Sequence, residues 1–417
     1  MPLQVSRVVV VGGGAAGFFG AIACAESSRR RLDIRILEGS REVLQKVRIS
    51  GGGRCNVTHD EDDPRILAQF YPRGSSALIG PLSRWRQSDT VAWFSAHGVE
   101  LKAEDDGRMF PVSNRSSTVI DCLQEAARGL GISVAKGVAV HGIEAHPGEG
   151  FKIATRDKEN IFSDAVLIAT GGVRNDLARA PVDSIRHAIE PPVPSLFTFR
   201  IDDPGLVELA GISVASATIS VAGSSLTANG PVLVTHWGLS GPAVLRISAW
   251  GARKLEACDY CFELQVDWSG GTESEVSLRS KFSRQRQSHG ARSVSRTSIL
   301  KEVSRRLWGR FVRMAGIPED TLWSGLSKSQ IAALCRLVLG ETMQVNGKSM
   351  NKEEFVTCGG VALKDIDLTT MQSRRVPGVY FAGEVLDVDG LTGGFNFQSA
   401  WSTGRIAGAS IAAELSG

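Results

Sequence analysis

The stretch that most constrains this chain is RVVVVGGGAAGFFGAIACAESS, an apolar β-branched run that breaks at three glycines and resumes as a small-residue helix. About twenty residues on, LDIRILEGS is a second apolar run, ending in Glu38. Strand, tight turn, helix and second strand make a βαβ unit, with Gly12, Gly14 and Gly17 in the G-x-G-x-x-G frame. Gly12 allows the tight turn, Gly14 lets the backbone approach a diphosphate, and Gly17 lets helix and strand pack closely. Ala15 and Ala16 open the helix, whose N-terminal amides and dipole favour an anion. Glu38, followed by Gly39, is placed to accept hydrogen bonds from adenosine ribose hydroxyls. An acid there favours an unphosphorylated ribose, as in FAD or NAD, over NADP; it does not separate the first two.

Soon after Glu38 comes SGGGRCNVTH, residues 50–59. Ser50, Gly51, Gly52 and Gly53 are backbone that can approach a ligand closely, and Arg54, Cys55 and Asn56 add a cation, a thiol and a carboxamide. A phosphate cradle, a nucleophilic cysteine and a plain turn all suit this composition. A metal site does not, because Cys55 and His59 are two ligands and nothing nearby supplies a third and fourth.

The patterns at Thr90–Gly98 and Thr118–Gly131 are helical, and FKIATRDKENIFSDAVLIATGG reads as a hairpin followed by a buried strand that ends at Thr170, Gly171 and Gly172. After Pro191, ISVASATISVAG, PVLVTHWG and CDYCFELQVDW alternate with period two, as in an antiparallel sheet or small barrel. From Glu273 to Leu339 the pattern is helical again. Ile299, Val303, Leu307 and Phe311 recur every four residues, which predicts one apolar stripe with Arg305, Arg306, Arg310 and Arg313 largely outside it. VPGVYFAGEVLD and the small-residue helix after GLTGG return to α/β texture. The expected fold is therefore α/β: a discontinuous Rossmann-like domain (1–188 and 357–417) with an inserted antiparallel β-barrel (189–272, with further strand near 341–356) and a basic helical subdomain (273–340).

A chain of 417 residues holds about two or three such domains. Seven cysteines are too sparse and uneven for a disulfide framework, which suits a reducing compartment. MPLQVSR leaves no room for a signal peptide before the valine run, and no apolar run approaches the roughly 20 residues that span a bilayer. The expectation is a cytoplasmic protein with no membrane association and with no oligomeric state specified. Between Ser277 and Arg313 stand eleven Lys or Arg against one Glu, in a chain whose net charge is +3. Such a run is a solvated helical face or a site for a polyanion.

Six motifs in order, GGGAAGFFGAIACAE, ISGGGRCNVTH, DGRMFPVSNRSSTV, THWGLSGPAVLRIS, TCGGVALKDIDLTTMQS and VYFAGEVLDVDGLTGGFNFQSAWSTGRIAG, resemble the BaiN/YhiN family of bacterial flavoproteins. These belong to the two-dinucleotide-fold FAD enzymes. The resemblance implies bound FAD, and NAD(P)H as reductant. Family activities include reduction of uridine in ribosomal RNA, reduction of steroid enones and oxidation of a small amino ketone. It also implies that Gly12, Gly14 and Gly17 meet the pyrophosphate and that Gly383, Glu384 and Asp387 approach the ribityl chain and pyrophosphate. Gly393, Gly394, Phe395 and Asn396 would begin a helix aimed at the flavin N1 and O2 edge, where positive dipole ends stabilise reduced flavin. One segment departs: after ATGG the family carries a stretch of the kind GSTGDGY, whereas Gly172 here leads into VRNDLARAPVDSIRHAIEPPVPS.

Beside a flavin, Cys55 is either a general acid or a small packing residue, while Arg54 and Asn56 are placed to hold flavin or pyrophosphate by hydrogen bonds. His236, in THWGLSGPAV before a helix start at Gly241 and Pro242, is a substrate binder, a proton relay or a histidine satisfied by loop backbone. Cys258 and Cys261 have C-x-x-C spacing in an alternating strand, which puts them on opposite faces and favours structural cysteines. No second glycine fingerprint marks a nicotinamide domain, so NAD(P)H is expected as a transient co-substrate. The expected enzyme passes hydride from flavin N5 to an electron-poor double bond, with Cys55 or His236 donating the proton. Its expected substrate is an RNA pyrimidine, with ribosomal RNA held by Arg279 to Arg313. A small-molecule enone reductase or amino-ketone oxidase competes, as does a flavin-bearing RNA-binding or assembly factor with little turnover.

Overall fold

The computed structural model describes residues 5–146, 148, 150–156, 160–349 and 356–416. The chain divides into two units, Met1–Pro194 with Lys352–Gly417, and Ser195–Asn351. In the first unit the valine run forms β1 (Arg7–Val11), followed by α1 (Ala15–Ser27) and by β2 (Asp33–Glu38), parallel to β1. Val8 to Val11 are all buried, as a strand covered on both faces requires. The sheet has seven strands in the order Ile366–Asp367, Gln372–Ser373, Val379–Phe381, Ala165–Ile168, β1, β2, Ser133–Lys136. The last five run parallel, and the first two add an antiparallel edge. The chain leaves β1 toward β2 on one side and later fills in Ala165–Ile168 on the other. The strand order therefore reverses at β1, and the crevice outside the carboxyl ends of β1 and Ala165–Ile168 is where open α/β sheets take their ligands.

The final helix, Phe395–Ser416, packs along α1. The backbones approach so closely that a Cβ on Gly404 would lie 2.8 Å from the Ala16 carbonyl oxygen. Phe19 sits edge-on to Trp85, Trp93 and Trp401, with ring centroids 5.6, 4.9 and 5.3 Å away. Each such pair adds about 0.5–1.5 kcal/mol beyond its buried area.

The second unit contains a closed six-stranded antiparallel barrel, in the order Thr198–Arg200, Gly238–Ser240, Thr227–Thr235, Ser213–Val221, Cys261–Asp267, Glu341–Ser349. All three period-two stretches lie in it, and the strand expected near 341–356 closes it; residues 350–355 of that expectation lie outside the described residues. The boundary expected at 189 moves to 195, because Ile189–Ser195 pairs with Val356–Val361 and residues up to 194 belong to the first unit.

The helices Glu275–His289, Arg305–Met314 and Lys328–Gly340 make up the helical part. Here the expected stripe is corrected. Ile299 and Val303 precede the helix, which starts after its Ser304 cap and buries Leu307, Trp308, Phe311 and Val312. Arg310, expected outside, is 3% exposed. It lies three residues after Leu307 and so on the same face. Its guanidinium pairs with Glu341 and with Asp203, and the Trp268 indole donates to Glu341 Oε2 at 2.7 Å. Arg305, Arg306 and Arg313 are exposed as expected. Among the described residues no helix is long and apolar enough to cross a membrane.

Candidate cofactor site

At the carboxyl end of β1, Gly12 has φ +113°, and a Cβ there would enter the carbonyl of Ala169, the residue that follows the neighbouring strand. A Cβ on Gly17 would enter the Gly12 carbonyl, so the turn closes only with both glycines. Gly14 and Gly171 are the reverse case: no atom lies within 4 Å of where their Cβ would stand. Gly14 caps α1 without a side chain, and the first turn holds no acid, so the leading amides of α1 are left for a ligand. Glu38 is fixed rigidly. Its Oε2 accepts from Gly13 N at 2.7 Å, and its Oε1 accepts from Ser40 N at 2.8 Å and Ser40 Oγ at 2.7 Å. A carboxylate has about four acceptor positions, so Oε2 keeps one for a ribose hydroxyl.

Thr170 donates its hydroxyl to Ala178 O at 3.0 Å and therefore offers the crevice its backbone. Ala178 belongs to the Asp176–Ser184 helix, which the departing segment after Gly172 builds behind its Asn175 cap. On the far wall, Gly383 has φ +77°, and a Cβ there would stand 2.7 Å from Ala16 Cβ. Glu384 accepts from Thr357 N at 2.9 Å and pairs with Lys46. Asp387 N donates to Val361 O at 3.0 Å. Gly394 caps the final helix, its carbonyl taking Gln398 N at 2.9 Å, and no acid stands in the first turn. Asn396 spends its amide on Gly390, accepting from the N–H and donating to the carbonyl, each at 2.8 Å. The open glycines, the leading amides of α1 and the fixed ribose acid fit the diphosphate and adenosine end of FAD.

The SGGGRCNVTH strip begins inside the Gln45–Gly53 helix, at a kink. Ser50 leaves helical geometry, and Gly51, Gly52 and Gly53 follow with φ +57°, +68° and +83°. The N–H groups of Arg54 and Cys55 both close on Ser50 O, so they serve this turn and not a phosphate. Arg54 pairs with Glu104 Oε1 at 2.5 Å and lies 3.8 Å over the Phe110 ring. Cys55 has φ +63° and no exposed surface. Burial pushes its thiol up to about 12, against a hydrogen bond to Ser50.

Asn56, oriented so that its hydrogen bonds are satisfied, accepts from Gly394 N at 2.9 Å and donates to Thr58 O at 3.0 Å and Met109 O at 3.2 Å. Further along, Trp401 Nε1 donates to Val57 O at 2.9 Å, Thr58 Oγ1 donates to Gln398 Oε1 at 2.6 Å, and His59 Nδ1 lies 3.0 Å from Gly393 O. Residues 56–59 are thus lashed to the start of the final helix. Arg54 and Asn56, expected on flavin or pyrophosphate, both make bonds to protein groups here, Arg54 to Glu104 and Asn56 to Gly394, Thr58 and Met109.

The aromatic support of that helix start was not visible in the sequence. Phe70 stacks on Phe395 at 4.4 Å, His59 lies 4.5 Å from the same ring, and Tyr71 OH donates to Phe395 O at 2.6 Å. Arg73 pairs with the fully buried Asp389. No local pattern announces pairings between residues more than 300 positions apart.

In the second unit, His236 and Trp237 are the exposed two-residue turn between Thr227–Thr235 and Gly238–Ser240. The turn is held by Ile201 N donating to Trp237 O at 2.9 Å and by the Trp237 indole donating to Thr198 Oγ1 at 3.1 Å. The expected helix follows, capped by Gly241 and begun by Pro242. Cys258 and Cys261 are free and exposed; only Cys261 is in a strand, and Cys258 lies in the turn before it. In the basic segment, Arg284, Arg286, Arg292, Arg296, Lys301, Arg305 and Arg306 are exposed, whereas Arg279 and Lys281 pair with Glu275 and Glu273.

Comparison with known proteins agrees with this architecture. The chain is 28% identical to the ribosomal RNA dihydrouridine synthase of Escherichia coli over 405 residues, covering 95% of each chain. It is 26% identical to the 3-dehydro-bile acid delta(4,6)-reductase of Clostridium scindens, over 98% of this chain and 99% of that one. Among solved structures, the 3-ketosteroid-delta4-(5alpha)-dehydrogenase of Rhodococcus jostii shares the fold, with a TM-score of 0.51 at 13% identity, covering 99% of this chain and 98% of that one. The HI0933-like protein Rossmann domain matches residues 6–410, and the chain belongs to that family, the FAD-dependent oxidoreductases of BaiN/YhiN type.

Proposed function

We propose that this flavoenzyme takes electrons from NAD(P)H and reduces an electron-poor carbon–carbon double bond, with uridine in ribosomal RNA as substrate. The observation that carries the substrate is the near full-length similarity to proteins named ribosomal RNA dihydrouridine synthase, from Escherichia coli and from Haemophilus influenzae, at 28% and 27% identity. The exposed cations of the 279–313 segment support it, since they suit a polyanion. When bound, FAD supplies the hydride at N5. The chain's own residues supply the rest: the α1 amides and Gly14 seat the diphosphate, Glu38 the ribose, and the final helix presents its positive end to the flavin. A proton must also reach the second carbon of the double bond. Of the two candidates, His236 is exposed, whereas the Cys55 thiol is enclosed by protein and held up by burial. A His236→Asn variant that keeps its flavin and loses about 100-fold or more in turnover supports that role, and unchanged turnover removes it.

A second reading has its own observation. The similarity to the bile acid reductase covers as much of the chain, and supports a small-molecule enone as substrate. Mass spectrometry of nucleosides in ribosomal RNA from a deletion strain separates the two. Loss of dihydrouridine, restored by the wild-type gene, is expected; an unchanged nucleoside profile moves the substrate to the small-molecule class.

A further inference from the structure

We infer that Asn56 is a positioning residue that sets the redox potential of the bound flavin by holding the N-terminus of the final helix. The inference rests on the reading that FAD binds with its N1 and O2 edge at that helix.

Asn56 is 8% exposed, and both of its amide hydrogens are committed, to Thr58 O and Met109 O. Its oxygen takes the Gly394 N–H, so the carboxamide caps the helix from a strip 338 positions earlier in the chain, with no acid doing so locally. Gly394 has φ +92°, and a Cβ there would enter the Thr58 backbone, so the strip and the helix start fit against each other without slack. His59 on Gly393 O, Thr58 on Gln398 and Trp401 on Val57 O complete the seam. Capping by a neutral amide leaves the positive helix end uncompensated. Reduced flavin carries more negative charge at N1 than oxidised flavin, so a helix end held in place binds the reduced form more tightly and raises the potential. Loosening the seam weakens that preference. For a two-electron couple, a tenfold loss of relative affinity for the reduced form is a fall of about 30 mV.

The test is the two-electron midpoint potential of FAD in the purified holoprotein, measured by dye equilibration for wild type, Asn56→Ala and His59→Phe. The second variant keeps an aromatic ring on Phe395 and removes the bond to Gly393, and it stands in if Asn56→Ala does not fold. Ile153→Ala, buried in the three-stranded sheet of Val140–His146, Gly150–Thr155 and Asn160–Ser163, controls for destabilisation alone. The expected result is FAD retained with a potential lowered by a tenfold equivalent or more in the seam variants, and unmoved in Ile153→Ala. Potentials that match wild type in the seam variants, or that fall equally in Ile153→Ala, overturn the inference while leaving the cofactor reading intact. A wild-type protein that binds no FAD overturns both.

Discussion

Arg310 and Glu341 form an ion pair inside the second unit, with 4% and 1% of their side chains exposed. The pair ties the helix Arg305–Met314 to the strand that closes the barrel. Burial raises the Glu341 carboxyl above its usual range although Arg310 opposes it. Arg310→Ala leaves that acid in the interior without its cation, and the expected loss is about 3–5 kcal/mol in urea denaturation. A loss below about 1 kcal/mol would show that the pair is not holding the two elements together.

Gly17→Ala places a methyl group on the Gly12 carbonyl. Overpacking of this kind costs about 1–3 kcal/mol, and the displaced turn carries the diphosphate site with it. The purified variant is expected to contain less flavin per polypeptide than wild type, read from the visible absorption band. Full flavin content would separate the G-x-G-x-x-G turn from cofactor binding.

His187 is 6% exposed, with Nε2 2.7 Å from Ser373 Oγ. Burial, assisted by the charge of Arg375, lowers its pKa despite the Ile185 backbone and Asp365. With the folded value below the unfolded one of about 6.5, the unfolded chain binds the proton more readily. Its contribution to stability is present above about pH 6.5 and is lost as the pH falls from there through the folded value. Thermal unfolding between about pH 7.5 and 5 is expected to show a falling Tm in wild type and a shallower fall in His187→Gln; parallel profiles would contradict this.

Arg292, Arg296 and Arg305 are exposed. If they meet RNA phosphates, changing all three to Glu weakens binding to a ribosomal RNA fragment. On single strands the salt dependence also flattens, by about 0.7 in logarithmic slope for each phosphate no longer neutralised. Arg310 is unsuited to this experiment because its substitution disturbs the fold. Affinity that ignores both salt and these changes would make the segment an ordinary solvated surface.

Much of the fold is local information. The valine run, the glycine frame and Glu38 specify the βαβ unit, and period-two stretches specify barrel strands, because each depends on neighbours along the chain. Local pattern fails where partners are distant. Arg310 reads as a surface cation until Asp203 and Glu341 are seen beside it. The pairing of Arg54 with Glu104 and of Asn56 with Gly394 is likewise invisible along the chain. Ile189–Ser195 reads as barrel, but its partner Val356–Val361 lies across the whole insertion. In the strip 50–59 it is not the glycine run that reaches the helix at the other end of the chain but Asn56 and His59 after it, while the positions a Cβ would take on Gly52 and Gly53 are open.

In the function proposed above, the chain carries FAD and passes electrons from a nicotinamide nucleotide to an unsaturated substrate. Anaerobic mixing of the FAD-loaded protein with NADPH and with NADH tests it most directly. At least one of them is expected to bleach the visible flavin band within the time of turnover. Ribosomal RNA from a deletion strain, added to the reduced protein, then restores the band as the electrons pass to the base. A flavin band that neither nucleotide bleaches would rule out electron transfer from a nicotinamide nucleotide to this flavin.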